Sequence, residues 1–143
     1  MPTLNGSYLL IAVKYPTGVI DDKIFALILD NPPPEEWLIT PVVGSNEGVV
    51  TIQTSDRSKA WTVPSDKEQE QITVKSFDSN SPAPNQIFRI VQPEIDSGRI
   101  QIVTNSSGYI IGRNRMEDLS VMPKRIVSRP DSPENTLWLV QPL

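Results

Sequence analysis

Histidine and cysteine are both absent from this chain of 143 residues. Without them no Ser-His or Cys-His nucleophile pair can form, and no zinc site can be built from nitrogen and sulfur ligands. The acidic doublets at 21–22, 35–36 and 117–118 do not replace them, because neighbours in an extended chain point to opposite faces. The sequence therefore predicts a protein that is not an enzyme and that uses no cofactor or metal ion.

Long apolar runs are missing too. No stretch approaches the roughly 20 apolar residues of a membrane span, so we expect no membrane partner. The N-terminus lacks the basic region and apolar run of a secretory signal, and we expect a cytoplasmic location. The chain is acidic, with a net charge of −4, although residues 98–143 hold six basic and four acidic side chains. An acidic chain binds nucleic acid poorly, so no nucleic-acid partner is expected.

A threefold internal repeat organises the chain. Glycines at positions 6, 48 and 98 each open a segment of alternating apolar residues. An aromatic strand closes each unit, at Trp37, Phe88 and Trp138, which lie 51 and 50 residues apart. A proline follows each aromatic residue by four or five positions. One domain made of three similar units is therefore predicted, with units at about 1–43, 44–95 and 96–143.

Each unit contains four short stretches with an apolar period of two, separated by turn-forming residues. The predicted strands are residues 7–13, 17–20, 23–29, 36–40, 49–54, 60–63, 71–75, 86–91, 99–104, 109–112, 125–128 and 137–141. Twelve short strands in three copies predict an all-β protein with the β-trefoil fold, a six-stranded barrel capped by three hairpins. Three units are too few for the blades of a β-propeller. We expect Trp37, Phe88 and Trp138 to fill the core, and the two chain ends to lie close together.

The three units differ most between their second and third strands. This connection is Asp21-Asp22 in the first unit, about seven residues in the second, and twelve residues, 113–124, in the third. Repeated folds commonly keep the scaffold and vary the loops that carry function. A connection this long is usually functional or disordered, and its apolar residues and proline favour an ordered loop. The sequence therefore predicts residues 113–124 as the functional loop.

The same region resembles a known family. Gly-Arg-Asn at 112–114, Glu-Asp-Leu-Ser at 117–120 and Pro-Lys-Arg-Ile at 123–126 are similar to the signature of mushroom β-trefoil serine protease inhibitors of the cospin and cnispin type. Further similar segments are residues 16–27, 34–41, 60–64 and 71–75. In that family the loop-bearing arm comes first, whereas here it comes last. The resemblance thus implies a circularly permuted order of the repeats.

The resemblance implies a monomeric fungal defence protein whose partner is a serine protease. The residues it implies in the protease-binding loop are Arg113, Asn114, Arg115, Met116, Glu117, Asp118, Leu119, Ser120 and Lys124. Trypsin-directed members carry a basic residue after the Glu-Asp pair, and this chain has Leu119 there. Leucine suits an apolar specificity pocket, as in chymotrypsin- or subtilisin-like enzymes.

Two alternatives to this interpretation remain open. Leu119 could pack beneath the loop with Val121 and Met122, and Arg115 or Lys124 would then enter the protease. In the second alternative, the protein inhibits cysteine proteases through other loops, an activity found in related mushroom trefoils.

A carbohydrate-binding lectin is the alternative function, since many trefoils are lectins. Lectin trefoils often carry Gln-x-Trp at the end of each repeat, and only Gln86-Ile87-Phe88 approaches this pattern here. Sugar binding also needs an exposed aromatic face, which Trp61 or Tyr15 could supply.

Overall fold

The computed structural model describes residues 4–12, 14–27, 33–46, 48–65, 70–78, 80–92, 99–113, 123–130 and 136–142. Twelve β-strands and one 3₁₀ turn, Pro84–Gln86, are found in these ranges. The strands are Gly6–Ala12 (β1), Tyr15–Ile20 (β2), Lys23–Ala26 (β3), Trp37–Pro41 (β4), Val49–Gln53 (β5), Lys59–Thr62 (β6), Thr73–Ser76 (β7), Phe88–Val91 (β8), Arg99–Thr104 (β9), Ile110–Arg113 (β10), Lys124–Ser128 (β11) and Trp138–Pro142 (β12). Within these ranges no helix is long and apolar enough to cross a membrane.

Six strands close into a barrel. Following the antiparallel pairs around it gives the order β1, β4, β5, β8, β9 and β12, and β12 pairs back with β1. The first and last strands are therefore neighbours, with Tyr8 opposite Pro142. This confirms the expectation that the two ends of the chain lie close together.

The other six strands form three hairpins, β2–β3, β6–β7 and β10–β11. The hairpins join one another in a ring, because β3 pairs with both β7 and β11 while Gln71 bridges to Val127. One isoleucine from each hairpin, Ile24, Ile72 and Ile126, is fully buried at this junction. The backbone N–H of Ile24 donates to the carbonyl of Ile72, and that of Ile72 donates to Ile126. The predicted β-trefoil with a hairpin cap is confirmed.

The predicted aromatic residues do fill the core, since Trp37, Phe88 and Trp138 are all fully buried. A fourth aromatic residue, Trp61 of β6, joins them. Its ring lies 5.6 Å from Trp37, 5.9 Å from Phe88 and 5.7 Å from Trp138, measured between centroids. Edge-to-face pairs at this separation are favourable beyond the area they bury. Trp61 is thus the common contact of the three closing aromatics.

The core departs from threefold symmetry at Trp61. The strand registers place it where the first unit has Thr17 and the third has Ile111. In those two units the closing tryptophan donates a hydrogen bond to this position, from Trp37 Nε1 to Thr17 Oγ1 at 2.9 Å and from Trp138 Nε1 to the Ile111 carbonyl at 3.0 Å. Phe88 has no N–H to donate, so the second unit can place an indole here instead.

The predicted strands match the observed ones in number and order, and their ends differ by up to three residues. The largest difference is at β3, which was expected to reach residue 29 and ends at Ala26. The 3₁₀ turn Pro84–Gln86 was not predicted. The proposed limits of the three repeats, at about 43 and 95, stay predictions.

Candidate functional site

The first hairpin has a connection of two residues, whereas the second and the third each have ten residues between their strands, 63–72 and 114–123. β2 and β3 are joined by Asp21 and Asp22 alone, whose φ angles of 53° and 61° form a tight turn. β10 ends at Arg113 and β11 begins at Lys124, with Pro123 just before it. The predicted site residues Asn114, Arg115, Met116, Glu117, Asp118, Leu119 and Ser120 lie outside the described residues. Their roles, and the expected order of the loop, stay predictions.

Arg113 forms one end of this connection and is only 3% exposed. Its Nη1 donates to the carbonyl of Ala12 in the first unit at 3.5 Å. Its guanidinium also lies 5.8 Å from the ring centre of Tyr15, within reach of a cation–π interaction. The third unit is therefore attached to the first unit at the point where the long connection starts.

Lys124 forms the other end and is 1% exposed. It is the first residue of β11 and pairs with Ala26 of β3, again in the first unit. The alternative in which Lys124 enters a protease pocket needs an exposed side chain, so this burial argues against it. Arg113 is buried as well, and both residues contact the first unit. The roles of Arg113 and Lys124 in protease binding stay predictions.

The two aromatic residues considered for sugar binding are also not exposed. Trp61 is fully buried in the core, and Tyr15 is partly buried against the core with Arg113 over its ring. Trp61 therefore presents no open aromatic face, and the Tyr15 ring is only partly accessible. Sequence alone could not separate these from surface aromatics, because both lie on short strands with mixed neighbours.

A second exposed turn, between β5 and β6, is extensively hydrogen-bonded and was not singled out from the sequence. Asp56 Oδ1 accepts from Thr54 Oγ1 at 2.7 Å, Ser58 N at 2.9 Å and Ser58 Oγ at 2.7 Å. Glu35 accepts from Ser55 N and Oγ, which ties the turn to the residues before β4. The Thr-Ser-Asp-Arg-Ser composition of residues 54–58 is the signal that could have indicated it.

The Asp56 contacts make the turn sensitive to acid. Hydrogen bonds from the Ser58 backbone and the Thr54 side chain lower the pKa of Asp56 from 3.8 to about 2. Because folding lowers this pKa, the charged carboxylate stabilises the turn above pH 3.8, and that contribution is lost as the pH falls towards 2. We expect Asp56→Asn to be less stable than wild type at neutral pH and closer to it at pH 2. Denaturant unfolding at several pH values measures this, with Asp21→Asn as the control in another exposed turn. Equal pH dependence in all three proteins would contradict the expectation.

No group of three or more acidic side chains is placed to hold a metal ion in the described ranges. Two further charged contacts involve the hairpins. Lys59 forms an ion pair with Asp22 at 2.6 Å, and the Arg129 guanidinium lies 4.7 Å from the ring centre of Tyr109. Both sites are at the surface of the cap, so they contribute little to stability.

Comparison with solved structures supports the fold. The designed threefold-symmetric protein ThreeFoil has a TM-score of 0.74 at 18% identity, over 97% of this chain and 100% of its own. A proteinase inhibitor from Coprinopsis cinerea has a TM-score of 0.68 at 12% identity, over 98% and 99% of the two chains. A ricin B-like lectin from Macrolepiota procera, solved in complex with lactose, has a TM-score of 0.73 at 8% identity, over 100% and 99%. At these identities the likeness shows the fold alone.

The sequence itself carries a family match. No curated protein matches it, but the model of the peptidase inhibitor I66 family matches residues 2–92. This segment is more than half of the chain, contains β1 to β8, and ends before the strands that carry the 113–124 connection. The chain belongs to the peptidase inhibitor I66 family.

Proposed function

We propose that this protein inhibits serine proteases and that the connection between β10 and β11, residues 113–124, is its substrate-like loop. The family match supports peptidase inhibition in general. The observation that supports the choice of loop is the contrast with the first hairpin. The first unit turns in two residues, whereas the third extends from Arg113 to Lys124 on the same scaffold. The second hairpin also has ten residues between its strands, but two of them, Gln71 and Ile72, are hydrogen-bonded to the other hairpins.

A substrate-like loop needs rigid attachment at both of its ends. A substrate-like inhibitor binds tightly because its loop is already close to the bound conformation, so that little conformational entropy is lost on binding. Arg113 and Lys124 are buried, and both contact the first unit, through Ala12 and Ala26. These contacts fix the two loop ends against the first unit, one at the barrel and one at the cap. The loop therefore starts and finishes on rigid structure.

Leu119 is proposed as the residue that enters the specificity pocket of the protease. A leucine side chain gains from burial in an apolar pocket and cannot pair with the carboxylate of a trypsin pocket. We therefore expect inhibition of chymotrypsin- or subtilisin-like enzymes to be stronger than inhibition of trypsin.

An inhibition panel tests the proposed function. Inhibition constants are measured for trypsin, chymotrypsin, subtilisin, elastase and papain. Inhibition of chymotrypsin or subtilisin with little effect on papain supports the proposal. Inhibition of papain alone would transfer the function to cysteine proteases and to other loops, and inhibition of none of the five would overturn it.

A second test, with a smaller expected effect, asks whether the contact between Tyr15 and Arg113 positions the loop. Tyr15→Leu removes the ring next to Arg113 without changing any loop residue, and cation–π contacts are worth about 0.5–2 kcal/mol. We expect the inhibition constant to rise by roughly three- to tenfold through a looser loop. Tyr109→Leu is the matched control, because the Tyr109 ring contacts Arg129 and not Arg113. An equal effect of the two substitutions would show that the Tyr15 contact does not position the loop.

A further inference from the structure

A groove crosses the outer wall of the barrel between the first and second units. It consists of two adjoining depressions of about 330 and 150 Å³, which share Thr40, Gln53 and Phe77. Thr40 lies on β4 and Gln53 on β5, on the face opposite the buried Ile39 and Ile52. No described residue of the β10–β11 hairpin lines the groove. Its described lining residues all belong to the first and second units, whereas the proposed protease-binding loop belongs to the third.

Gln53 gives the groove a fixed hydrogen-bond acceptor. The side chain is only 4% exposed, and its Nε2 donates to both Thr40 Oγ1 and Thr51 Oγ1 at 3.3 Å. These two bonds orient the amide and leave Oε1 without a partner among the described residues. The oxygen is not one of the fully enclosed polar atoms of these residues, so it is open to the groove. Buried amides are normally satisfied, and here a ligand hydroxyl would supply the missing donor.

The other lining groups limit the chemistry of that ligand. Phe77 is half-buried where the two depressions meet, and offers an apolar surface. Arg57 lies at the end of the larger depression, on the hydrogen-bonded β5–β6 turn, and Asn5 adds an amide. No acidic residue is among the described residues that line either depression. The groove thus combines an aromatic surface, an acceptor for a hydroxyl, and one positively charged side chain.

We propose that this groove binds a saccharide, and that it prefers a hexuronic acid to a neutral hexose. A sugar ring has an apolar C–H face for Phe77, hydroxyl groups for Gln53, and in a uronic acid a carboxylate for Arg57. A basic peptide would be repelled by Arg57. The site differs from the one expected from sequence, because it uses neither Trp61 nor Tyr15.

The test titrates the ¹⁵N-labelled full chain with galacturonic acid and glucuronic acid, and with galactose and glucose as their neutral counterparts. The side-chain amide signals of Gln53 report binding directly in the wild type, and the backbone amide signals of Thr40 and Thr51, which also line the groove, report it in every variant. We expect saturable shifts, with at least one uronic acid binding more tightly than its neutral counterpart. Gln53→Leu should weaken that binding about tenfold, the effect of losing one well-placed hydrogen bond. Arg57→Gln should remove the preference for the acid.

Gln101→Leu is the matched control, because Gln101 lies on the barrel strand β9 outside the groove and donates to Thr136. It should bind sugar as the wild type does. Phe77→Leu provides a second groove variant if Gln53→Leu fails to fold, and thermal unfolding shows whether each variant is intact. Lack of saturable shifts with all four sugars would overturn the proposal, as would equal affinity in the wild type and a folded groove variant. Protease inhibition should be unchanged in Gln53→Leu, so the two proposed functions can fail separately.

Discussion

Leu119→Asp is expected to raise the inhibition constant for chymotrypsin- or subtilisin-like enzymes by roughly thirtyfold or more. The residue that enters a specificity pocket is the main contributor to such an interface, and losing it typically costs over 2 kcal/mol. Aspartate adds the cost of placing an unpaired charge in an apolar pocket. The measurement compares inhibition constants of wild type and variant against chymotrypsin, subtilisin and trypsin.

Leu119→Arg tests the same assignment of Leu119 through a gain of trypsin inhibition. The guanidinium can pair with the carboxylate in a trypsin pocket, so inhibition of trypsin should appear or strengthen while inhibition of chymotrypsin weakens. Val121→Asp is the matched control, because it places the same charge two positions further along the loop. Val121→Asp acting as strongly as Leu119→Asp would indicate a packing role for both side chains beneath the loop. Arg115 would then be the next residue to test, before the buried Lys124.

The β-trefoil was predictable because the same local signals occur three times. A single strand such as β3 gives a weak pattern. Aligning the glycines and aromatic residues of the three units lets the two clearer copies identify the strands of the third. The ends of strands were harder to predict, because they depend on pairing between units. Gln71 shows this, since it forms a bridge to Val127 of the third unit and lies outside β7.

The central position of Trp61 could not be predicted from the repeat. Its equivalents are Thr17 and Ile111, so the alignment of the units indicates no aromatic residue there. The burial of Arg113 and Lys124 was equally hidden, because charged residues in a long connection are ordinarily exposed. Their contacts with the first unit, at Ala12 and Ala26, help to explain it. A local sequence pattern carries no information about contacts between units that are distant in sequence.

The circularly permuted order of the repeats stays a prediction. The family match ends at residue 92 and leaves the loop-bearing third unit unmatched, as a displaced arm would be. The pairing of β1 with β12 shows that the barrel places the two ends side by side. A variant in which the present N- and C-termini are joined, and new termini are made between the second and third units, should therefore fold. It should also keep the inhibition constants of the wild type.

Trp61→Ala is expected to lower the free energy of unfolding by about 3–5 kcal/mol, the range for removing a large buried aromatic side chain. The loss should lie at the upper end, because the ring contacts Trp37, Phe88 and Trp138 together. A cavity at this point lies among side chains of all three units, which limits how far any one of them can relax. Denaturant unfolding followed by circular dichroism measures the change without relying on tryptophan fluorescence.

A matched pair of milder variants separates packing from hydrogen bonding. Trp61 Nε1 is buried with no hydrogen-bond partner among the described residues, whereas Trp37 Nε1 donates to Thr17 Oγ1. Trp61→Phe therefore removes an unsatisfied donor, and Trp37→Phe breaks a buried bond and leaves Thr17 short of a partner. Since both lose a similar volume, we expect Trp37→Phe to be more destabilising by about 1–2 kcal/mol. If Trp61→Phe costs as much or more, the fit of the indole among the three rings, and not its polar atom, determines the stability at this position.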